Sequence, residues 1–508
     1  MTKPISFGSL EFNLSSTMTR PDGEVDSDTP FRILVMGDFS GRAKKGGRIP
    51  AVALPQRRLQ RLDRDNLDEV MAKMGVELRL PLMGPAAPPV TVSFSELDDF
   101  HPDRLYDRLD AFRTIRENSK KSADFGRGVT AVRPLPRRAM DETVVLVAGE
   151  GTGSLLDQIL GEAEGVLPAS SAATPSQWDR FLSDIVRPHL VPDDDGEKSQ
   201  RNCSLDEVTG DLMRAILHCQ DFQELEALWR GVSFLISRLD TGEELQVFLL
   251  DVTKGELAAD LCGVSDSHGS GLHTLLVEKT VRSPGAAPWA LLAGLFTFDA
   301  GREDVALLAR LSQVAASAGA PFIGGADEKI VGCDSLAANP DPRQWQTGTD
   351  SAALTWMALR RLSTTAYLGL ALPRFLLRLP YGAATDPIDS FEFEESSVPP
   401  AHEEYLWGNP ALAVVSLLGQ SFSEQGWEMI PGTIQDLVNL PLHLYKEQGE
   451  SAATPCAETL LTYDAADLLM EWGLMPLASM KDRDMARLAC FSSLADPPCG
   501  LAGRWRSN

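Results

Sequence analysis

The chain has 508 residues, 43% of them hydrophobic and 23% charged, enough apolar material for more than one core and an ordinary globular balance. Its formal net charge of −25, from 47 basic and 72 acidic residues, argues against nucleic acid as a partner, because phosphates are bound by basic clusters. No apolar run reaches the ~18 residues of a membrane span, no signal core follows Met1, and seven scattered cysteines read as free thiols in a reducing cytoplasm.

Charge is unevenly spread. Residues 1–150 hold 23 basic and 22 acidic side chains, which leaves 24 and 50 for the remainder. Two joined units are expected, α/β in class, with mixed sheets and flanking helices. Residues 1–30, rich in Ser, Thr and Asp, are expected as a mobile arm. Residues 31–36 (FRILVM) are almost continuously apolar and close on Gly37 and Asp38, the pattern of a buried strand. A basic loop follows from Arg42 to Arg48. Residues 65–74 predict a helix that Asp65 or Asn66 caps and Gly75 stops. Residues 76–80 and 90–94 alternate apolar and polar, which predicts two half-buried strands. Beyond His101 and Pro102, one helix is predicted over 104–116, with Leu105, Leu109, Phe112 and Ile115 on a single face. Val144 to Val147 reads as a strand, followed by a short helix from Ser154.

The second unit opens with Ser204 and Glu207, a capping box in which two side chains satisfy orphan helix amides. Leu205, Val208, Leu212 and Ile216 mark the apolar face, and Phe222, Leu225, Trp229, Val232 and Ile236 continue it as one long helix or two in series. A strand is predicted over 245–252. Strand 291–298, helix 303–318 ended by Gly319, and strand 321–323 ended by Gly324 and Gly325 then make a βαβ pattern, hence a parallel sheet. Two more strands, 367–372 and 375–379, flank Pro373. A proline cannot donate to a ladder, so an edge or bulge is expected there.

Four clusters invite a chemical reading. Gly149, Gly151 and Gly153 follow the Val144 strand, but no lysine completes a phosphate loop, Glu150 would repel phosphate, and a hinge is the simpler reading. His268, Ser270 and His273 lack the nucleophile-elbow spacing and read as a solvated loop. His402 and Glu403 begin a zinc-helix pattern, yet Leu406 stands where the second histidine belongs. His218 and Cys219 read as core filling on a helix face. The expectation is no catalytic residue, no cofactor and no metal.

Three stretches of the first unit, residues 30–42 (PFRILVMGDFSGR), 62–71 and 92–103, resemble the small subunit of the contractile sheath of bacterial type VI secretion systems. From about residue 203 the chain is similar to the large sheath subunit, in residues 222–231, 283–289, 367–382 (YLGLALPRFLLRLPYG) and 405–409 (YLWGN). Leu155, Leu156, Ile159 and Leu160 resemble the short helix near that subunit's N-terminus. The resemblance implies a small-subunit-like domain over 31–147, a linker with that helix over 148–203, and a large-subunit-like domain over 204–508. It also implies a cytoplasmic structural protein without catalysis, which assembles with sheath subunits or itself around an inner tube of ring proteins. A baseplate and an AAA+ unfoldase that grips the large subunit's N-terminal region complete the implied partners. A non-polymerising accessory protein that docks on sheath, tube or baseplate is the alternative reading.

The large-subunit resemblance stops short of the family's C-terminal strands, so an uncovered sheet edge is expected, with Val144 to Val147 substituting for part of the pairing. Trp407, Gly408 and Asn409 are expected as a buried anchor at a tight bend. Arg374 and Arg378 are expected either to pair with carboxylates of the acidic half or to contact an adjoining subunit.

Overall fold

The computed structural model describes residues 5–7, 10–12, 28–44, 54–80, 89–125, 197–283, 285, 287–346, 348, 351–447 and 449–505. Residues 1–109 with 209–508 form one compact unit and residues 110–208 another. Val144–Val147, the glycine cluster at 149–153 and Leu155, Leu156, Ile159 and Leu160 lie outside the described residues. Within the stretch expected as an arm, β1 (Ile5–Phe7) and β2 (Leu10–Phe12) pair antiparallel.

A nine-stranded mixed sheet organises the larger unit. Its strands are β3 (Phe31–Gly37), β4 (Gln60–Leu62), β7 (Leu245–Asp251), β8 (Leu291–Phe298), β9 (Phe322–Ala326), β10 (Leu368–Leu372), β13 (Asp436–Leu437), β16 (Met475–Ser479) and β17 (Ala486–Leu488). They lie in the order β13-β17-β16-β10-β9-β8-β3-β7-β4. Parallel pairing runs from β7 through β16, and the rims are antiparallel. In chain sequence the run β7-β3-β8-β9-β10 is 2-1-3-4-5, a doubly wound order.

β3 therefore sits inside the sheet, third from its β4 edge. β3 pairs in register with β7 from Phe31↔Leu245 to Gly37↔Asp251, and with β8 from Ile33↔Leu291 to Met36↔Gly294. Its continuous apolar run suits this place, since a parallel strand covered on both faces has no solvent side. All of its apolar side chains are fully buried. Helices α5 (Gln220–Arg238) and α9 (Ala411–Gln425) pack together as one layer, with α9 lying against β8, β9 and β10. Helices α6 (Lys254–Cys262), α7 (Arg302–Ala318) and α8 (Ser351–Arg360) form the other layer, centred on α7.

Elsewhere local signals hold or fail for identifiable reasons. β5 (Val76–Leu80) and β6 (Val90–Phe94) form an antiparallel hairpin whose apolar residues alternate with exposed ones. A second such pair, β14 (Leu444–Glu447) and β15 (Glu450–Ala453), lies near the C-terminal end. Helix α1 (Leu67–Met74) ends at Gly75 in the left-handed region, at φ 62°, but Asn66 makes no cap bond to it. Its amide instead closes the Asp63 turn, with Oδ1 accepting from Asp63 N at 3.0 Å. The single helix predicted over 104–116 is two, α2 (Pro102–Arg108) and α3 (Asp110–Phe125), separated by extended Leu109. The Ser204 capping box is also overturned: α4 (Glu197–Leu217) starts seven residues earlier, so Ser204 lies within the helix. α4 and α5 are in series, broken at His218 and Cys219, so these two residues are a joint and not a helix face.

Gly324 and Gly325 do not end their strand but lie inside β9. A Cβ on Gly325 would stand 3.0 Å from Asn409 Nδ2, so glycine there permits a close approach. The edge expected at Pro373 is not found. β10 lies between β9 and β16, and the proline falls one residue past its end, where no ladder donor is needed.

Candidate interaction site

Beyond Pro373 the chain leaves the main sheet, and β11 (Phe375–Leu376) pairs antiparallel with β12 (Trp407–Gly408). Leu376, Tyr405 and Trp407 form a small apolar cluster beside this ribbon. The Trp407 ring is buried and stacks on His402, with centroids 5.0 Å apart, while its Nε1 donates to His402 O at 2.9 Å. A Cβ on Gly408 would come within 2.7 Å of the Leu377 side chain, so glycine is required by space. Asn409 ties the ribbon to the sheet and to a helix. Its Nδ2 donates to Phe296 O at 3.2 Å and its Oδ1 accepts from Ala411 N at 3.0 Å, the first residue of α9.

Arg374 and Arg378, four residues apart, take different carboxylates. The half-exposed Arg374 donates through Nε and Nη2 to Glu458 Oε1, at 2.9 and 2.5 Å, and its backbone N–H donates to Oε2. His402 Nε2 shares Oε1 at 3.1 Å. Burial would raise the Glu458 carboxyl, but the His402 bond and Arg374's charge and hydrogen bonds outweigh it and hold the group at about 2.

Arg378 is buried within an ion cluster. Its Nε donates to Glu226 Oε1 at 2.9 Å, and Nη1 and Nη2 donate to Glu395 at 2.7 and 2.9 Å. Arg230 Nε also donates to Glu226 Oε1, at 2.6 Å, and its Nη2 to the Tyr381 hydroxyl at 2.8 Å. Glu395 further accepts from Tyr381 N at 2.7 Å. The guanidinium of Arg378 lies 4.4 Å from the Tyr381 ring centre. Both carboxylates are essentially inaccessible. Burial alone would raise Glu226, yet Arg378 and Arg230 pull it below its ordinary value, whereas burial pushes Tyr381 up to about 12. Both arginines thus pair within the chain.

Glu226 escaped the reading of the sequence, although a signal existed. It falls four residues after Phe222 and three before Trp229, on the buried stripe of α5, where a lone carboxylate needs a cation.

The same region joins the chain's two parts. Phe94, Phe100 and Phe222 form an aromatic trio, and Trp229 Nε1 donates to Phe39 O at 3.0 Å. The Asp103 carboxylate accepts from the backbone amides of Asp389 and Ser390 at 3.1 and 3.0 Å. Doubly wound sheets bind ligands outside the carboxyl ends where the strand order reverses, here β3 and β8. There Lys254 Nζ donates to Thr297 O and to Asp304, each at 2.7 Å, and Asp38 accepts from the amides of Arg42 and Ala43. These groups hold strands and loops to one another.

A core strand supplied by the N-terminal part joins the two parts in one sheet, beside a buried arginine–glutamate cluster, and sequence comparison places the chain. Residues 199–495 match the VipB family, described as EvpB/VC_A0108, tail sheath N-terminal domain, and residues 13–137 match the family described as type VI secretion system, VipA, VC_A0107 or Hcp2. The first match spans more than half of the chain, which belongs to this tail sheath family. The chain is similar to the type VI secretion system sheath protein TssC1 of Pseudomonas aeruginosa, at 32% identity over 289 residues. That stretch is 56% of this chain and 58% of the relative, so the chain spans under two thirds of the protein it matches.

Proposed function

We propose that this chain is a structural sheath component of a type VI secretion apparatus, in which small- and large-subunit parts fold as one body and assemble with like subunits around an inner tube. The observation that carries the reading is the position of β3: a strand from the VipA-matching residues stands between two strands from the VipB-matching residues. Such an arrangement makes the two parts one mechanical element, as a wall under tension requires. The protein performs no catalysis in this reading. It works in the cytoplasm, and no described helix is long and apolar enough to cross a membrane. Baseplate contact, and unfoldase contact through Leu155, Leu156, Ile159 and Leu160, belong to the same proposal.

Sedimentation tests it. Purified protein mixed with tube rings should pellet as long cylinders visible by negative-stain microscopy. Protein that stays soluble with rings, yet co-sediments with a preformed sheath, is an accessory component and overturns the assembly reading.

A further inference from the structure

His268 and His273, which the sequence places in a solvated loop, meet in the structure. His268 Nδ1 lies 3.0 Å from His273 Nε2, with the rings nearly perpendicular and centroids 4.7 Å apart. His273 is fully buried, and its Nδ1 has no hydrogen-bond partner. The pair joins the turn Ser267–Gly269 to the short helix Gly271–His273, which runs on into a π-helix, Thr274–Val281. No group of three or more metal-ligating side chains occurs among the described residues.

Hydrogen-bond accounting fixes the tautomers. If His268 Nδ1 donated, neutral His273 would carry its hydrogen on Nδ1, a buried donor facing nothing. An unmet buried N–H is costlier than an unmet acceptor nitrogen. His273 Nε2–H therefore donates to His268 Nδ1, and His268 keeps its hydrogen on Nε2. One further proton then has no good place. On His268 Nδ1 it sets two hydrogens against each other in the 3.0 Å contact. On His273 Nδ1 it makes a buried donor without an acceptor, whichever ring carries the charge across the shared hydrogen bond.

We propose that the His268–His273 pair is an acid-released lock, which holds the Ser267–Val281 segment closed while both rings are neutral and opens it on protonation. Charged groups surround the pair on each neighbouring element. Asp260 of α6 accepts from Gly271 N and Leu272 N at 2.9 and 3.0 Å, and Asp266 accepts from His268 N. Glu278, Lys279 and Arg282 follow on the π-helix, and Lys279 donates to Pro55 O. Arg310 of α7 donates to the carbonyls of Val264 and Ser265. Burial, then His268, then Arg282 hold His273 below the usual histidine range, with Glu278 and Asp266 opposing. A depressed histidine stabilises the closed form above its ordinary value near 6.5, and that contribution is lost as pH falls below it.

Hydrogen exchange of peptides from residues 264–282, corrected for intrinsic rates, tests the lock. Opening of this segment should rise from pH 7.5 to pH 5.5 by up to about tenfold, since the one pH unit below the ordinary value contributes at most about tenfold. His273→Gln should flatten this rise. His268→Gln, at the more accessible ring, should melt like the natural protein at pH 7.5 and show a smaller rise. An equal rise in His268→Gln, or no rise in the unmodified protein, overturns the proposal even if His273→Gln does not fold.

Discussion

β3 and β5 are short strands from the first eighty residues, yet they occupy opposite kinds of place. β3 is buried along both faces inside the nine-stranded sheet, whereas Glu77 and Arg79 of β5 point to solvent from a two-stranded hairpin. Arg378 and Arg374 repeat the contrast in the ionic side chains, one enclosed by two buried carboxylates and the other half-exposed beside Glu458. In both cases a segment's tolerance to change is set by how many of its faces lack water. Residues of one type and one neighbourhood then differ by several kcal/mol in what their loss costs.

Substitutions probe that contrast in descending order. Val35→Asp puts an unpaired charge on a fully buried strand of the shared sheet and should abolish soluble folding, a loss beyond about 5 kcal/mol that expression trials and circular dichroism would register. Arg378→Ala leaves Glu226 and Glu395 buried without their main cation and should cost about 3–5 kcal/mol in denaturant unfolding, against a smaller loss of about 1–3 kcal/mol for Arg374→Ala, which leaves the buried Glu458 with His402 alone. Trp407→Ala, which removes a buried ring but no charge, should cost about 3 kcal/mol; a melting temperature shifted by less than a degree or two would show that the ring anchors nothing.

Acid titration reads the more exposed ion pair. Glu458 is depressed from 4.5 to about 2, so its contribution is whole above pH 4.5 and is lost as pH falls through the interval toward 2, about 3 kcal/mol in all. Glu458→Gln should remove that part of the acid slope. The smallest effect belongs to the hairpin. Thr91→Asp on its exposed face, opposite Arg79, should change stability by about 0.5 kcal/mol or less.

The period of the apolar pattern is enough to tell the two strands apart, because a continuous run and an alternating one place different numbers of faces against protein. Gly319 and Gly75 mark helix ends for a similarly local reason, since both adopt the left-handed conformation that glycine favours. Pairing is not legible in the same way. Nothing in residues 31–36 names residues 245–251 and 291–294 as neighbours, because parallel pairing between distant strands is decided by how helices cover the sheet. The partners of Arg378 are hidden likewise, in a helix 152 residues away and a loop 17 residues on. Ser204 shows the reverse failure: a good local cap signal is overridden because the helix continues through it. The break at Leu109 has neither glycine nor proline to announce it.

The position of β3 between β7 and β8 also sets an order of events during synthesis. Phe31–Gly37 leaves the ribosome long before β7, which begins at Leu245, and before β8, which begins at Leu291. At ~5–20 residues per second the strand waits roughly 10–40 s for its first parallel partner. Over that interval a seven-residue apolar segment with high strand propensity is exposed, which is the composition that seeds aggregation. Arg32 within it, and Arg42, Lys44, Lys45 and Arg48 just after it, supply the charges that keep such a segment apart from its copies on neighbouring ribosomes. Shielding of that strand by a nascent-chain chaperone is the device that suits this topology, and faster elongation shortens the exposure.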